Sequence, residues 1–219
     1  MEKLSGSEQG YFKIECKEDK PKRITIESRI SLDNEALKKI QQSLIQKLEG
    51  FSADSLDELH LTLGHFGKPD ELYKELSVFH PPLDAKDFDR EFQQLLLETE
   101  KVMSQAVNVH ATEIRVFESG AVVLILDKEI LMEAKRMVYD ATIKFLTNLH
   151  IPEPESYIRG SAMNSNLHYL LPERWTPHIT IGWIKSDVEE TPIAEKSVET
   201  IDLEINLQPS YVSNAKRNA

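Results

Sequence analysis

Two imidazoles and two hydroxyls recur in this chain at one spacing. His60-Leu61-Thr62-Leu63-Gly64 and His178-Ile179-Thr180-Ile181-Gly182 both read His, aliphatic, Thr, aliphatic, Gly. In a strand, side chains alternate between faces with period two. His60 then shares a face with Thr62, and His178 with Thr180, while the aliphatic residues point into a core. Gly64 and Gly182 leave room for a ligand or a second backbone. Side by side, the two strands would bring both imidazoles and both hydroxyls to one groove. A neutral imidazole can accept a proton there, a charged one can donate another, and the hydroxyls can hold an anionic oxygen. Those are the parts of general acid–base chemistry on a phosphate ester.

Other chemistries fit the residues less well. A metal site would need His60, His65 and His178 together, but strict alternation puts His65 on the face opposite His60, and no acidic or cysteine ligand pattern stands nearby. No metal or other cofactor is therefore expected. A Gly-x-Ser-x-Gly elbow is absent from the sequence. The single cysteine, Cys16, has no partner for an internal disulfide.

The flanking patterns show what would position the two strings. Residues 23–31 alternate, with Ile24, Ile26 and Ile30 against Thr25, Glu27 and Arg29, as in a half-buried strand. Leu37, Ile40, Leu44 and Leu48 then mark a helix stripe at spacings of three and four. Residues 67–84 read as turn-rich, with Pro69, Pro81 and Pro82. Residues 86–107 read as a long helix on Phe88, Phe92, Leu95, Thr99, Val102 and Ala106. Residues 109–118 and 121–126 read as a hairpin about Ser119-Gly120. Residues 128–149 read as another helix, with Leu131, Ala134, Val138, Ala141, Phe145 and Leu149 as its buried stripe, and residues 201–207 as a final strand. Residues 151–177, broken by prolines, read as a substrate lid leading into the second string. The expectation is an α+β protein with one bilobal domain over 22–208, a flexible leader over 1–21 and a tail over 209–219.

Composition narrows the function classes. The 219 residues carry a formal net charge of −11, with 40% hydrophobic and 29% charged residues. That balance argues against a broad basic surface for long nucleic acid, though not against a nucleotide or an RNA end in a local pocket. The sequence holds no apolar run of membrane-spanning length. A monomer without membrane attachment, in the cytoplasm or the nucleus, is the expectation. Arg159, Arg174 and Lys185 are candidate phosphate contacts. Phe66, Tyr157, Trp175 and Tyr211 are candidates to stack on a base. Trp183 falls on the aliphatic face by alternation and is expected in the core.

The duplicated His-x-Thr string, together with the order of strands and helices around it, resembles the 2H phosphoesterase superfamily over residues 22–208. The resemblance implies a bilobal fold of two pseudo-twofold related sheet lobes, flanked by helices, around a central groove. It implies metal-independent hydrolysis of a 2′,3′-cyclic phosphate or a 2′-5′ phosphodiester of a nucleotide or RNA end, as in RNA processing. His60 and His178 would be the acid–base pair, in either order. Thr62 and Thr180 would bind the phosphate, with Tyr157, Arg159, Arg174 and Trp175 as further substrate contacts. The alternative is a non-catalytic nucleotide-binding or scaffold module on the same fold, for which two titrating groups would be superfluous.

Overall fold

Runs that alternate form strands here, and stripes at spacings of three and four form helices. The computed structural model describes residues 11–17, 20–31, 35–79, 83–160, 166–185 and 194–217. In chain order the elements are β1 (Phe12–Ile14), β2 (Cys16–Lys17), β3 (Lys20–Pro21), β4 (Ile24–Arg29), α1 (Glu35–Lys47), β5 (Phe51–Ala53), β6 (His60–Gly67), α2 (Pro69–Phe79), α3 (Ala85–Thr99), β7 (Val107–Val116), β8 (Ala121–Leu126), α4 (Met132–Asn148), α5 (Pro154–Gly160), β9 (His178–Ile184), β10 (Lys196–Leu207), β11 (Tyr211–Ser213) and β12 (Ala215–Arg217). Short 3-10 turns lie at Leu56–Glu58, Asn166–Leu170 and Pro172–Arg174.

The architecture is α+β, as expected, built on one large antiparallel sheet in the order β10-β7-β8-β9-β6-β4-β11, with β5 added to β9. The sheet has two halves. Strands β6, β4 and β11 form one, covered by α2, α3 and α4. Strands β10, β7, β8, β9 and β5 form the other, against which α1 packs. The halves meet at a single pair between the two motif strands, Leu61 opposite Ile179. They meet again where Ile30, just past β4, bridges Leu207 of the edge strand β10. The expected lobes are thus halves of one sheet, joined where the two strings touch. Ile24, Ile26, Leu61, Leu63, Ile179 and Ile181 are wholly buried beneath it. Each such side chain contributes about 1.5–3 kcal/mol on burial, which holds the motif strands flat against the core.

Both motif strands carry a bulge at the same place. Along β4, Glu27 faces Thr62 and Ile26 faces Gly64, so Leu63 is the extra residue. Along β8, Val123 faces Thr180 and Val122 faces Gly182, so Ile181 is the extra residue. A bulge interrupts the alternation of faces. Beyond it, His65 comes to the cavity that Thr62 lines, and Trp183 is 45% exposed. Both differ from the strict-alternation expectation, which sent His65 away from His60's face and Trp183 into the core.

The room left by the motif glycines is taken by the protein itself. A Cβ at Gly182 would run into the Ser52 carbonyl and the Phe51 ring, because Gly182 pairs with Ala53 of β5. A Cβ at Gly64 would meet Val138 Cγ1 of α4 at 2.8 Å. Gly182→Ala is expected to cost about 3 kcal/mol, because the obstacle is backbone and β5 cannot retreat without giving up its ladder. Chemical denaturation measures this, and an unchanged midpoint would refute the packing argument.

Other segments also differ from the sequence reading. Residues 69–79, read as turns, form α2: Pro69 starts the helix without needing its missing N–H, and Leu72 and Leu76 are buried on one face. Helix α3 ends at Thr99 rather than near Val107. The chain beyond it is tied to residue 210, since Met103 N–H donates to Ser210 Oγ at 3.0 Å and Ser210 N–H to the Met103 carbonyl at 2.9 Å. The expected leader and tail pair with each other, and the tail also pairs with the body. Strand β1 pairs with β12 and β11 with β4, and Phe12 is buried, with its N–H donating to Gln93 Oε1 at 2.7 Å. Residues 1–10 and 18–19 of the leader, and 218–219 of the tail, lie outside the described residues. Among the described residues, no helix is long and apolar enough to cross a membrane.

Candidate active site

The pairing of Leu61 with Ile179 decides how the two strings face each other. The strands are antiparallel, so one step along each places His60 opposite Thr180 and Thr62 opposite His178. Each imidazole is thereby set beside the other string's hydroxyl. Both rings are oriented by the same bond. His60 Nδ1 lies 2.8 Å from the Glu58 carbonyl, and His178 Nδ1 lies 2.8 Å from the Thr176 carbonyl. A carbonyl oxygen only accepts, so in both rings Nδ1 carries the proton and donates. Each Nε2 is then left to accept a proton when the ring is neutral or to donate one when it is charged.

The surroundings of the rings differ. Burial pushes the His178 pKa down; the Thr176 carbonyl opposes that, and the charge of His60 adds to it. The edge of Phe117 packs against the His178 ring at a centroid distance of 5.0 Å. His60 instead faces a carboxylate, with Glu27 Oε1 3.6 Å from Nε2, an ion pair whenever the ring is protonated. Glu27 is fixed by its neighbours. Tyr211 Oη donates to Glu27 Oε2 at 2.8 Å, Arg29 Nε donates to Tyr211 Oη at 3.0 Å, and Thr25 Oγ1 donates to Glu27 Oε1. The phenol of Tyr211, a base-stacking candidate by sequence, is engaged in this network. Burial raises the pKa of nearby Asp54, against a Trp183 hydrogen bond and the charge of His60.

A cavity of about 460 Å³ opens beside the strings, lined by Thr62, His178 and His65 and walled by Phe117, Tyr169 and Trp175. Arg174 and Lys135 reach it from the 3-10 turn Pro172–Arg174 and from α4. The sequence reading missed Lys135, which sits in a helix stripe otherwise read as apolar, and it missed Glu27, which looked like the solvated side of a strand. A lysine on the buried face of a predicted helix was the available signal. Of residues 151–177, read as a lid, Tyr169, Arg174, Trp175 and Thr176 wall this cavity. Ile151, Ile158, Leu167, Leu170 and Leu171 are buried in the core, and Trp175 is 9% exposed, which anchors the described part of the segment.

Of the further contacts read from sequence, the fold brings Arg174 and Trp175 to the cavity. Tyr157 and Arg159 do not line it. The Tyr157 hydroxyl donates to Glu75 Oε1 at 3.0 Å, and the Arg159 guanidinium pairs with Glu173. Both lie on α5, whose buried side is Ile158. Phe66 is a core residue, set edge-on to Phe92, and Lys185 is exposed just beyond the end of β9.

No family model and no curated relative matches this sequence. Among solved structures the chain is similar to TT0787 of Thermus thermophilus, at 13% identity and a TM-score of 0.45 over 89% of this chain and 97% of that one. It is similar to E. coli LigT complexed with 3′-AMP, at 16% identity and a TM-score of 0.43 over 91% of this chain and 98% of that one. It is also similar to a protein described as a phosphoesterase, at 13% identity and a TM-score of 0.40 over 90% of this chain and 98% of that one.

Proposed function

We propose that the protein is a metal-independent phosphodiesterase that hydrolyses a 2′,3′-cyclic phosphate or a 2′-5′ phosphodiester of a nucleotide or RNA end. The observation that carries this reading is the crossed arrangement of the two strings. Each imidazole has Nδ1 anchored to a carbonyl and stands beside the other string's threonine. His178, held neutral by burial, is the general base and takes a proton from the attacking water at Nε2. A phosphorus–oxygen bond forms to that water. The bond to the leaving sugar oxygen breaks, and His60, in its protonated form an ion pair with Glu27, gives that oxygen its proton. Thr62 and Thr180 donate to the non-bridging oxygens, where negative charge is held through the transition state. The product is a phosphomonoester, and the two rings exchange protonation states once per turnover.

The test is a hydrolysis assay on nucleoside 2′,3′-cyclic phosphates, RNA ending in a cyclic phosphate, and 2′-5′ linked oligoadenylate. Full activity is expected after exhaustive treatment with chelator. Activity lost on chelation and restored by zinc or magnesium would overturn the mechanism. Nucleotide binding without turnover on any substrate would point instead to a non-catalytic binding module.

A further inference from the structure

The two bulges are held by different side chains. At Ile181 the extra carbonyl accepts from Gln41 Nε2 of α1 at 3.0 Å and from the Asp54 backbone N–H at 3.0 Å. At Leu63 it accepts from Lys135 Nζ of α4 at 2.8 Å, and the same Nζ donates to the Tyr169 carbonyl at 3.0 Å. Neutral N–H donors therefore hold the bulge in the second string. In the first string the same work falls to an amine that is 1% exposed yet reaches the cavity wall. An ammonium has three protons to donate, and two meet neutral carbonyls. The Trp175 ring lies beside it, with the ring centroid 5.1 Å from Nζ.

A buried cation is ordinarily matched by an anion. Lys135 has none among the described residues, and the charge acting on it is another cation, Lys128. The ionisable side chains lining the cavity are Lys135, Arg174, His65, His178 and the phenol of Tyr169, with no carboxylate among the described lining residues. This lining stands out in a chain of net charge −11.

We propose that Lys135 is an anion-binding residue of this cavity, whose ammonium takes its missing counter-charge from a non-bridging phosphate oxygen of the ligand held between Thr62 and His178. The proposal rests on reading the cavity as the phosphate-ester site. Burial, with Lys128 adding to it, pushes the Lys135 pKa down to about 7. The amine thus stands between its neutral and charged forms near neutral pH, and an arriving anion draws a proton onto it.

Sulfate tests this, being a phosphate-shaped dianion whose own charge does not change near neutral pH. Its binding is followed by tryptophan fluorescence in the wild type, Lys135→Gln and Lys135→Met. The glutamine variant copies the neutral amide of Gln41, so it separates holding the bulge from carrying charge. The expected result is wild-type affinity falling up to about tenfold per pH unit above neutrality, since one linked proton gives that slope. Below that range the variants bind at least about tenfold more weakly, a loss of one favourable charge contact. No sulfate binding by the wild type, or variants binding like the wild type with the same pH dependence, would overturn the proposal. Should neither variant fold, calorimetry of the wild type at about pH 8 decides: proton uptake with sulfate supports the proposal and its absence refutes it. Turnover and this inference fail separately. An inactive wild type with Lys135-dependent sulfate binding would remove the reaction and keep the anion site. An active enzyme with indifferent Lys135 variants would do the reverse.

Discussion

Replacing His178 with alanine is expected to lower turnover about a hundred- to ten-thousandfold, the usual contribution of a positioned acid or base. His60→Ala should lose a comparable factor, because in the proposed mechanism each ring supplies one of the two proton transfers. The double variant should lose little more than either single one, since residues acting as a unit are not additive. Both residues are only half-buried, so circular dichroism at neutral pH should match the wild type. The pH dependence has a definite sign. Burial lowers the folded-state pKa of His178 below its ordinary value of about 6.5. The base is therefore neutral and competent above that value, and the rate falls as pH drops through the lowered one. Stability follows the same direction: the His178 contribution is present above the unfolded pKa and is lost as the pH falls. Rates near wild type in both single variants would remove the two-histidine mechanism.

The second large effect concerns stability and comes from Lys135. Its folded pKa is lowered to about 7 from an ordinary 10.5, chiefly by burial. For a group with a depressed folded pKa, the folded state favours the form without the proton. Its contribution is complete above the unfolded value and is lost as pH falls from there to about 7. At about 1.4 kcal/mol per pH unit between the two values, the full swing is about 5 kcal/mol. The wild type should therefore gain stability relative to Lys135→Met as pH rises from about 7 to about 10. Comparing the two proteins cancels the titration of the exposed lysines and tyrosines. Urea denaturation across that range measures the difference. Two curves that run parallel would mean that no ammonium is buried there. At the low end the variant could exceed the wild type, because a thioether on α4 costs no desolvation of charge, although the Leu63 and Tyr169 carbonyls lose a donor.

Both effects trace back to the join between the halves of the sheet. At Leu61 and Ile179 the strands touch, and each then bulges and turns away. The bulges leave carbonyls that need donors, which is why Gln41 and Lys135 are drawn in from α1 and α4. The catalytic candidates and the buried amine are therefore parts of one arrangement, and the amine stands where it does because the first string bulges.

What the chain determined by itself is what depends on near neighbours. Period-two alternation puts His60 with Thr62 and His178 with Thr180, and that needs no knowledge of the rest of the fold. The helix stripes of α1, α3 and α4 and the hairpin at Ser119-Gly120 are likewise short-range. What tertiary structure decided is everything that depends on a partner strand or a facing helix. A bulge is the mismatch between two strands, so Leu63 and Ile181 cannot be recognised as extra residues until β4 and β8 are set beside them. Because of that, His65 and Trp183 take faces that alternation misassigns. Glu27 meets His60 because β4 pairs with β6 in one register and not another. Lys135 becomes a cavity residue only once α4 lies over β6 and the Asn166–Leu170 turn closes on it. Local periodicity could name the four side chains proposed to do chemistry, but only packing could supply the charges around them, because those come from residues distant in sequence that share no period with the strings.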